Sequence, residues 1–452
     1  MTRAGFRQFL DRLRTGYWFL PVLGVLLAVI LAQLLLQLDA QIPNESLADN
    51  RLVLSAPPEQ ARPFMTNMAA TILTTTGIVF SLLTVPLSLA ASQFGSRLLR
   101  IYLRDRTIQV VLASFVCAFV YCLLMALAIP ASESVGDTPQ VAITFGLVLS
   151  MAALASLLLL VQHIASALQA PNLVAAAGGG FDGVLDAVFA APDDGRLSQR
   201  RAEAQLLLAQ LDREGSPIHA ARQGYVQAVD VEVALLVAKR HDLFIRLIRS
   251  PGHFVQAGDV VALVGPPGNV RNLAAANLTD AYRLGNLRTP AQDLEYAINQ
   301  IAEVAVRAMS AAINDPYTAM TCLDHLGARL ARIAARPLPL SMLYDDSGRL
   351  RLINDDHSLS DLLRAAFDLL RRASRETPEV LLSMLTAIEQ IGRTAYSDEY
   401  RAELRRHVAL VKAESEASSS IAWDKERVER RCDELLASLA ATNPEQLKPL
   451  PI

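Results

Sequence analysis

Four apolar runs, each about as long as a bilayer is thick, crowd the first part of this chain, near 17–37, 66–93, 108–129 and 141–163. About 20 residues of α-helix cross the hydrocarbon core, so these runs are read as four transmembrane helices. The whole chain is 52% hydrophobic and 19% charged, with a mean hydropathy of +0.29. Because the apolar excess sits in the first third, a membrane part followed by a soluble part is expected. The first run is longer than a signal-peptide core and has no A-x-A site near its end, so it reads as a retained anchor.

The second run carries many hydroxyls. Thr71, Thr74, Ser81, Ser88 and Ser92, together with Asn67, recur at steps of three, four or seven. Such spacing puts them on one face of a helix. Pro86 interrupts this helix and predicts a kink. Two readings stand side by side. The face lines a permeation path built by several copies, or it packs against another helix, since small and hydroxyl-bearing residues favour close contact. No span holds an interior Asp, Glu, Lys or Arg. That argues against a proton-coupled pump or a carrier of charged substrates.

Orientation follows from the bases. The tail 1–16 is Arg-rich, and so is the stretch holding Arg97, Arg100, Arg104 and Arg106. The other two loops between spans are not. The positive-inside rule puts both basic segments, and hence both termini, in the cytoplasm. The four arginines either anchor this topology or bind anionic head groups at the membrane surface. A formal charge of −3 gives no sign of nucleic-acid binding. Cys117, Cys122, Cys322 and Cys432 form no ligand spacing, so neither a metal site nor a disulfide framework is expected, and no cofactor is indicated.

After a hinge and connecting helices over 169–215, with Pro171 and Gly178–Gly180, the period changes. Residues 216–270 contain short β-like runs around one helix, VEVALLVAKRH, and predict a small β-rich barrel or sandwich. The string PGHFVQAGD resembles the barrel-sandwich of biotinyl and lipoyl carriers. The one lysine here, Lys239, falls on the predicted helix, so carrier chemistry is not expected. Residues 271–440 read as a helical domain and 441–452 as a tail. One helix is expected to start with Thr289 as N-cap, Pro290 and a capping Gln292, burying Leu294, Ile298, Ile301, Ala305 and Ala308. The next starts with Asp315 as N-cap and Pro316. A hairpin turns at 345–348, and four helices follow near 358–374, 377–393, 397–416 and 420–440. The fold class is thus an α-helical membrane protein with a cytoplasmic α+β region.

Asp293, Glu295, Asn314 and Asp315 form the one enzyme-like constellation. Asp315 is already explained as an N-cap, and the i+4 row that starts at Glu295 as a solvated or helix-facing polar stripe. The chain has no phosphate-loop, dinucleotide, zinc-protease or nucleophile-elbow string, so no enzyme is expected.

Three strings, ASQFGSRLLRIYLRDRTIQVVL (91–112), RSPGHFVQAGD (249–259) and RTPAQDLEYAINQIAEVAVRAMSAAINDPYTAMTCLDHL (288–326), resemble a bacterial family of predicted membrane proteins, domain of unknown function 2254. One departure is Ala311–Ala312, where the family pattern commonly has Pro-Gly. The resemblance implies a bacterial inner-membrane protein and supplies no activity, cofactor or catalytic residue. The expected function is an oligomeric, channel-like protein with a cytoplasmic assembly. The alternative is a non-transporting sensor or scaffold that binds a cytoplasmic protein partner.

Overall fold

The computed structural model describes residues 19–41, 53–54, 56–103, 105–129, 138–167, 197–266, 278–289, 292–336, 341–354 and 358–441, with isolated positions between 172 and 185. The side chains of 85–87, 89–104, 197–203, 341 and 441 lie outside that description. Two compact units emerge, Met1–Leu173 and Val174–Ile452.

In the first unit, four helices are long and apolar enough to cross a bilayer. They are α1 (Phe19–Asp39), α2 (Pro58–Leu103), α3 (Arg106–Ala128) and α4 (Gln140–Ala167). The most buried is α3, which packs on the other three. At Gly24 of α1 an added Cβ would lie 2.8 Å from the Ala113 carbonyl oxygen, so only glycine permits this crossing. The buried Tyr121 hydroxyl donates to the Ala142 carbonyl at 2.8 Å, satisfying a phenol that could not be left unpaired there. At one end of the bundle Asp39, the last residue of α1, accepts from the amides of Val141 and Ala142 at 3.0 and 2.8 Å. One helix thus supplies the carboxylate cap of another. At the other end Asp105 caps α3 through the Thr107 amide at 2.8 Å and meets Nε2 of His163 at 2.6 Å.

Helix α2 begins earlier than the sequence suggests. Pro58 and Pro63, both ahead of the expected start near 66, lie inside it. Pro58 stands in the first turn, where a missing N–H costs nothing. With 46 residues, a straight α2 would run about 69 Å, twice the hydrocarbon thickness of about 30 Å. It is not straight. Met65 and Tyr121 both flank Gly146. Antiparallel packing then puts Arg106 level with about residue 80 of α2, at 1.5 Å per residue. Leu103 lies within about 11 Å of Arg106 along the chain, yet about 34 Å of helix separates residue 80 from Leu103. The helix therefore bends in between, in the stretch that contains Pro86.

The second unit opens with α5 (Leu197–Glu214). Strands β1 (Ser216–His219), β3 (Phe244–Leu247), β5 (Val260–Gly265), β7 (Ser341–Tyr344) and β8 (Leu350–Asn354) form one sheet, in the order β1-β5-β3-β8-β7. Strands β2 (Gly224–Val229), β4 (Phe254–Val255) and β6 (Tyr282–Gly285) form another, in the order β4-β2-β6. Both sheets are open, so the expected barrel does not form. One core joins the two sheets to helix α6 (Val231–Arg240) through Ile245, Leu247, Val226 and Ala234. On the other face α5 covers Phe244 and Ile353 with Leu211. All pairings are antiparallel except β3 with β8, where Ile245 faces Leu352. The sheets therefore recruit strands from outside 216–270, a long-range event with no local sequence signal.

The rest is helical: α7 (Leu294–Ala308), α8 (Pro316–Ala334), α9 (Leu359–Ala373), α10 (Pro378–Thr394), α11 (Asp398–Glu416) and α12 (Ala422–Ala441). Helix α7 buries Leu294, Ile298, Ile301, Ala305 and Ala308, as the periodicity requires. Its N-cap, however, is Asp293 and not Thr289. Thr289 instead donates to the Gln227 carbonyl at 3.3 Å, and Gln292 accepts from the Val229 amide at 2.9 Å. Both residues are engaged by β2, which moves the helix start to the next acceptor. Helix α8 does start on Asp315 and Pro316, and the turn before β8 places Gly348 at φ +79°.

Candidate functional site

The hydroxyl-bearing face of α2 is the most distinctive surface of the membrane unit. Ala61, Met65, Ala69, Ile72 and Val79 form the buried side of this helix. At 100° per residue, Asn67, Thr71, Thr74 and Ser81 lie on the opposite side. All four are exposed, as is Ser88. The Ser92 side chain lies outside the described residues. Packing against another helix of the same chain therefore does not account for the stripe among the described residues.

The threonines do not need a partner. Thr66, Thr71, Thr74, Thr75, Thr76 and Thr84 each donate to the carbonyl four residues earlier, at 2.7–2.9 Å. This back-bonding satisfies a hydroxyl inside an apolar medium and still leaves lone pairs on the surface. Asn67 differs. Its carboxamide has no hydrogen-bond partner among the described residues. It borders a cleft of about 290 Å³ that also involves Phe64, Thr71 and Thr75 of α2, Phe115 of α3, and Ser150, Met151 and Leu154 of α4. Phe115 and Ser150 sit near the midpoints of their helices, so the cleft lies at half the depth of the bundle. An amide moved from water into a medium that cannot hydrogen-bond loses about 4–8 kcal/mol. Sequence reading grouped Asn67 with the stripe. Its isolation becomes visible only once the neighbouring helices are in place.

The basic collar is mostly beyond description. The side chains of Arg97 and Arg100, and all of Arg104, lie outside the described residues. Arg106 opens α3 and is exposed. Asp105 beside it is partly buried, which opposes ionisation, but hydrogen bonds from His163 and Thr107 prevail and hold its carboxyl below the usual range.

Asp293, Glu295, Asn314 and Asp315 are not brought together. Asp293 caps the start of α7 and Asp315 the start of α8. The Asp315 amide donates to the Ala308 carbonyl at the far end of α7, so the length of α7, about 22 Å, lies between the two carboxylates. Asp293 is fully buried. It takes a two-pronged contact from Arg288, with Nε and Nη2 each 2.9 Å from a carboxylate oxygen, and the Tyr296 amide at 2.8 Å. The turn holding Gly252 presses on this pair: at φ +99° a Cβ would sit 2.3 Å from Asp293 Oδ2. Glu295 accepts from Asn299 at 3.2 Å and lies 3.8 Å from Arg288. Asn314 adopts φ +48°, a left-handed turn position that asparagine tolerates. Asp315 accepts from the Thr318 amide at 3.1 Å and the Thr318 hydroxyl at 2.5 Å. These are the contacts of a structural joint. Among the described residues, no group of three His, Cys, Asp or Glu side chains is placed to hold a metal.

Four bilayer-length helices followed by a mixed sheet and helices define a multi-span membrane protein with a large second unit. The chain belongs to the predicted membrane protein family called domain of unknown function 2254, whose model matches residues 14–390. It is 28% identical over 418 residues to an uncharacterised protein of Mycobacterium bovis and to one of Mycobacterium tuberculosis, covering 90% of this chain and 77% of each relative. No solved structure matches it.

Proposed function

We propose that several copies of this chain assemble in the bacterial inner membrane so that the hydroxyl face of α2 borders a path for ions or small solutes. The observation that carries this reading is the position of that face, turned away from the chain's own bundle and rich in exposed oxygen. A path built this way has no interior charged side chain from the spans, so it selects by size more than by charge. Both termini lie in the cytoplasm in this reading, the second unit gathers the subunits there, and the chain is not an enzyme. The test is flux through vesicles reconstituted with the purified chain. Flux is expected, and Thr74→Val or Ser81→Val is expected to change its rate without changing assembly. Silent vesicles together with a monomeric particle would overturn the proposal.

A second reading rests on the second unit. Ile421 and Trp423, at 66% and 61% exposure, stand together at the start of α12. Exposed apolar residues of this kind suit a protein partner, as a non-transporting scaffold or sensor requires. Capture of one stoichiometric partner by the full chain, without flux, would favour it.

A further inference from the structure

We propose that neighbouring copies of this chain meet at Asn67, their carboxamides hydrogen-bonding one another near the middle of the bilayer. The inference rests on the assembly reading above, and it names the contact that sets the register.

Three features lead there. The Asn67 side chain is exposed on the outer face of α2 and unpaired among the described residues. It borders the same cleft as Phe115 and Ser150 and, two residues past Met65, lies within about 6 Å of their level along the bundle, where lipid chains offer neither donor nor acceptor. The surrounding surface is also small. Ala70, Thr71 and Thr74 are exposed beside it, and at Gly77 an added Cβ would meet nothing within 4 Å. Small residues let helix backbones approach closely in membranes.

The occupant follows from the chemistry. A carboxamide carries two donors and an accepting oxygen, so it complements itself. A second copy inserted in the same orientation brings its own Asn67 to the same depth. One polar residue in an apolar helix contact fixes register, because every slipped alignment leaves the amides unpaired. Threonines flanking it do not compete, since their hydrogens are already committed along the helix.

Disulfide trapping of the full chain in membranes tests this. The four native cysteines are buried, so the unmodified chain serves as the blank. Asn67→Cys is expected to give a covalent dimer on oxidation with copper phenanthroline. Leu73→Cys, 56% exposed on another side of α2, is expected to stay monomeric. In lipid, Asn67→Leu is expected to weaken association about five- to thirty-fold, and Asn67→Gln to retain it. Equal trapping at both positions, or unchanged association of Asn67→Leu, would overturn the proposal. So would an Asn67→Cys that stays monomeric while reacting with a water-soluble maleimide, which would place the residue against water instead of a neighbour. Trapping without flux would leave this contact standing and remove the conduction path. Flux without trapping would do the reverse.

Discussion

Gly252 and Asp293 hold one joint together from opposite sides. Gly252→Ala puts a methyl into the Arg288–Asp293 contact and forces a residue with a Cβ to a positive φ. The expected loss is about 3 kcal/mol, read as a lower melting temperature of the second unit. Asp293→Ala removes the α7 cap and takes the two-pronged partner from Arg288, with a cost of similar size, about 3 kcal/mol. His407 gives a pH effect. Burial is the main reason its proton affinity is lowered, and Arg406 and Arg371 add to this, while Asp368 and Glu403 oppose it. An unfolded chain would bind that proton near the ordinary value of 6.5. The stabilisation is therefore complete above that pH and is lost as pH falls through the depressed folded value. His407→Leu is expected to flatten unfolding stability between about pH 6.5 and the onset of carboxylate titration, as measured by denaturation at a series of pH values. At this scale the sequence was informative where chemistry is local. Asp315 followed by Pro316 announces a helix start. The Asp293 cap was hidden behind Thr289–Pro290, because the strand that claims Thr289 and Gln292 lies some sixty residues away.

Helices were the legible elements, strands were not. Apolar runs placed all four spans, the Asp315–Pro316 cap placed α8, and α9 to α12 lie where four helices are expected, because each signal is contained within its own segment. The early start of α2 was missed since prolines in a first turn look like prolines in a loop. The β7–β8 hairpin was recognised as a hairpin, but nothing within it says that β8 lies parallel to β3. Among helix junctions, the Asp39 cap on α4 is the most testable. Asp39→Ala removes the acceptor for two amides and is expected to cost about 1 kcal/mol, seen as earlier thermal unfolding in detergent. Asp39→Asn is expected to recover part of this, since an amide oxygen still accepts.

For the whole molecule, the charge pattern of the loops sets an expected orientation that labelling can check. A cysteine at Asp49 is expected to react with an impermeant thiol reagent in intact cells, and one at Ala417, exposed after α11, only after lysis. The reverse pattern would invert the protein and move the second unit outside. The candidate surface itself was half legible. Periodicity gathered the hydroxyls onto one face, but which way that face turned depended on where α3 and α4 packed.

The parallel pairing of β3 with β8 also has a consequence for how the protein is made. The sheet's middle neighbour for β3 lies almost ninety residues after β5 in the chain. At a ribosomal rate of about 5–20 residues per second, β3 waits roughly 4–18 seconds with one edge open. During that interval the nascent chain carries Phe244–Leu247 as an unpaired strand edge, a template for wrong partners. Ribosomes stalled shortly after Gly265 should therefore hold chains that bind holdase chaperones, and ribosomes stalled well past Asn354 should hold chains that have let them go.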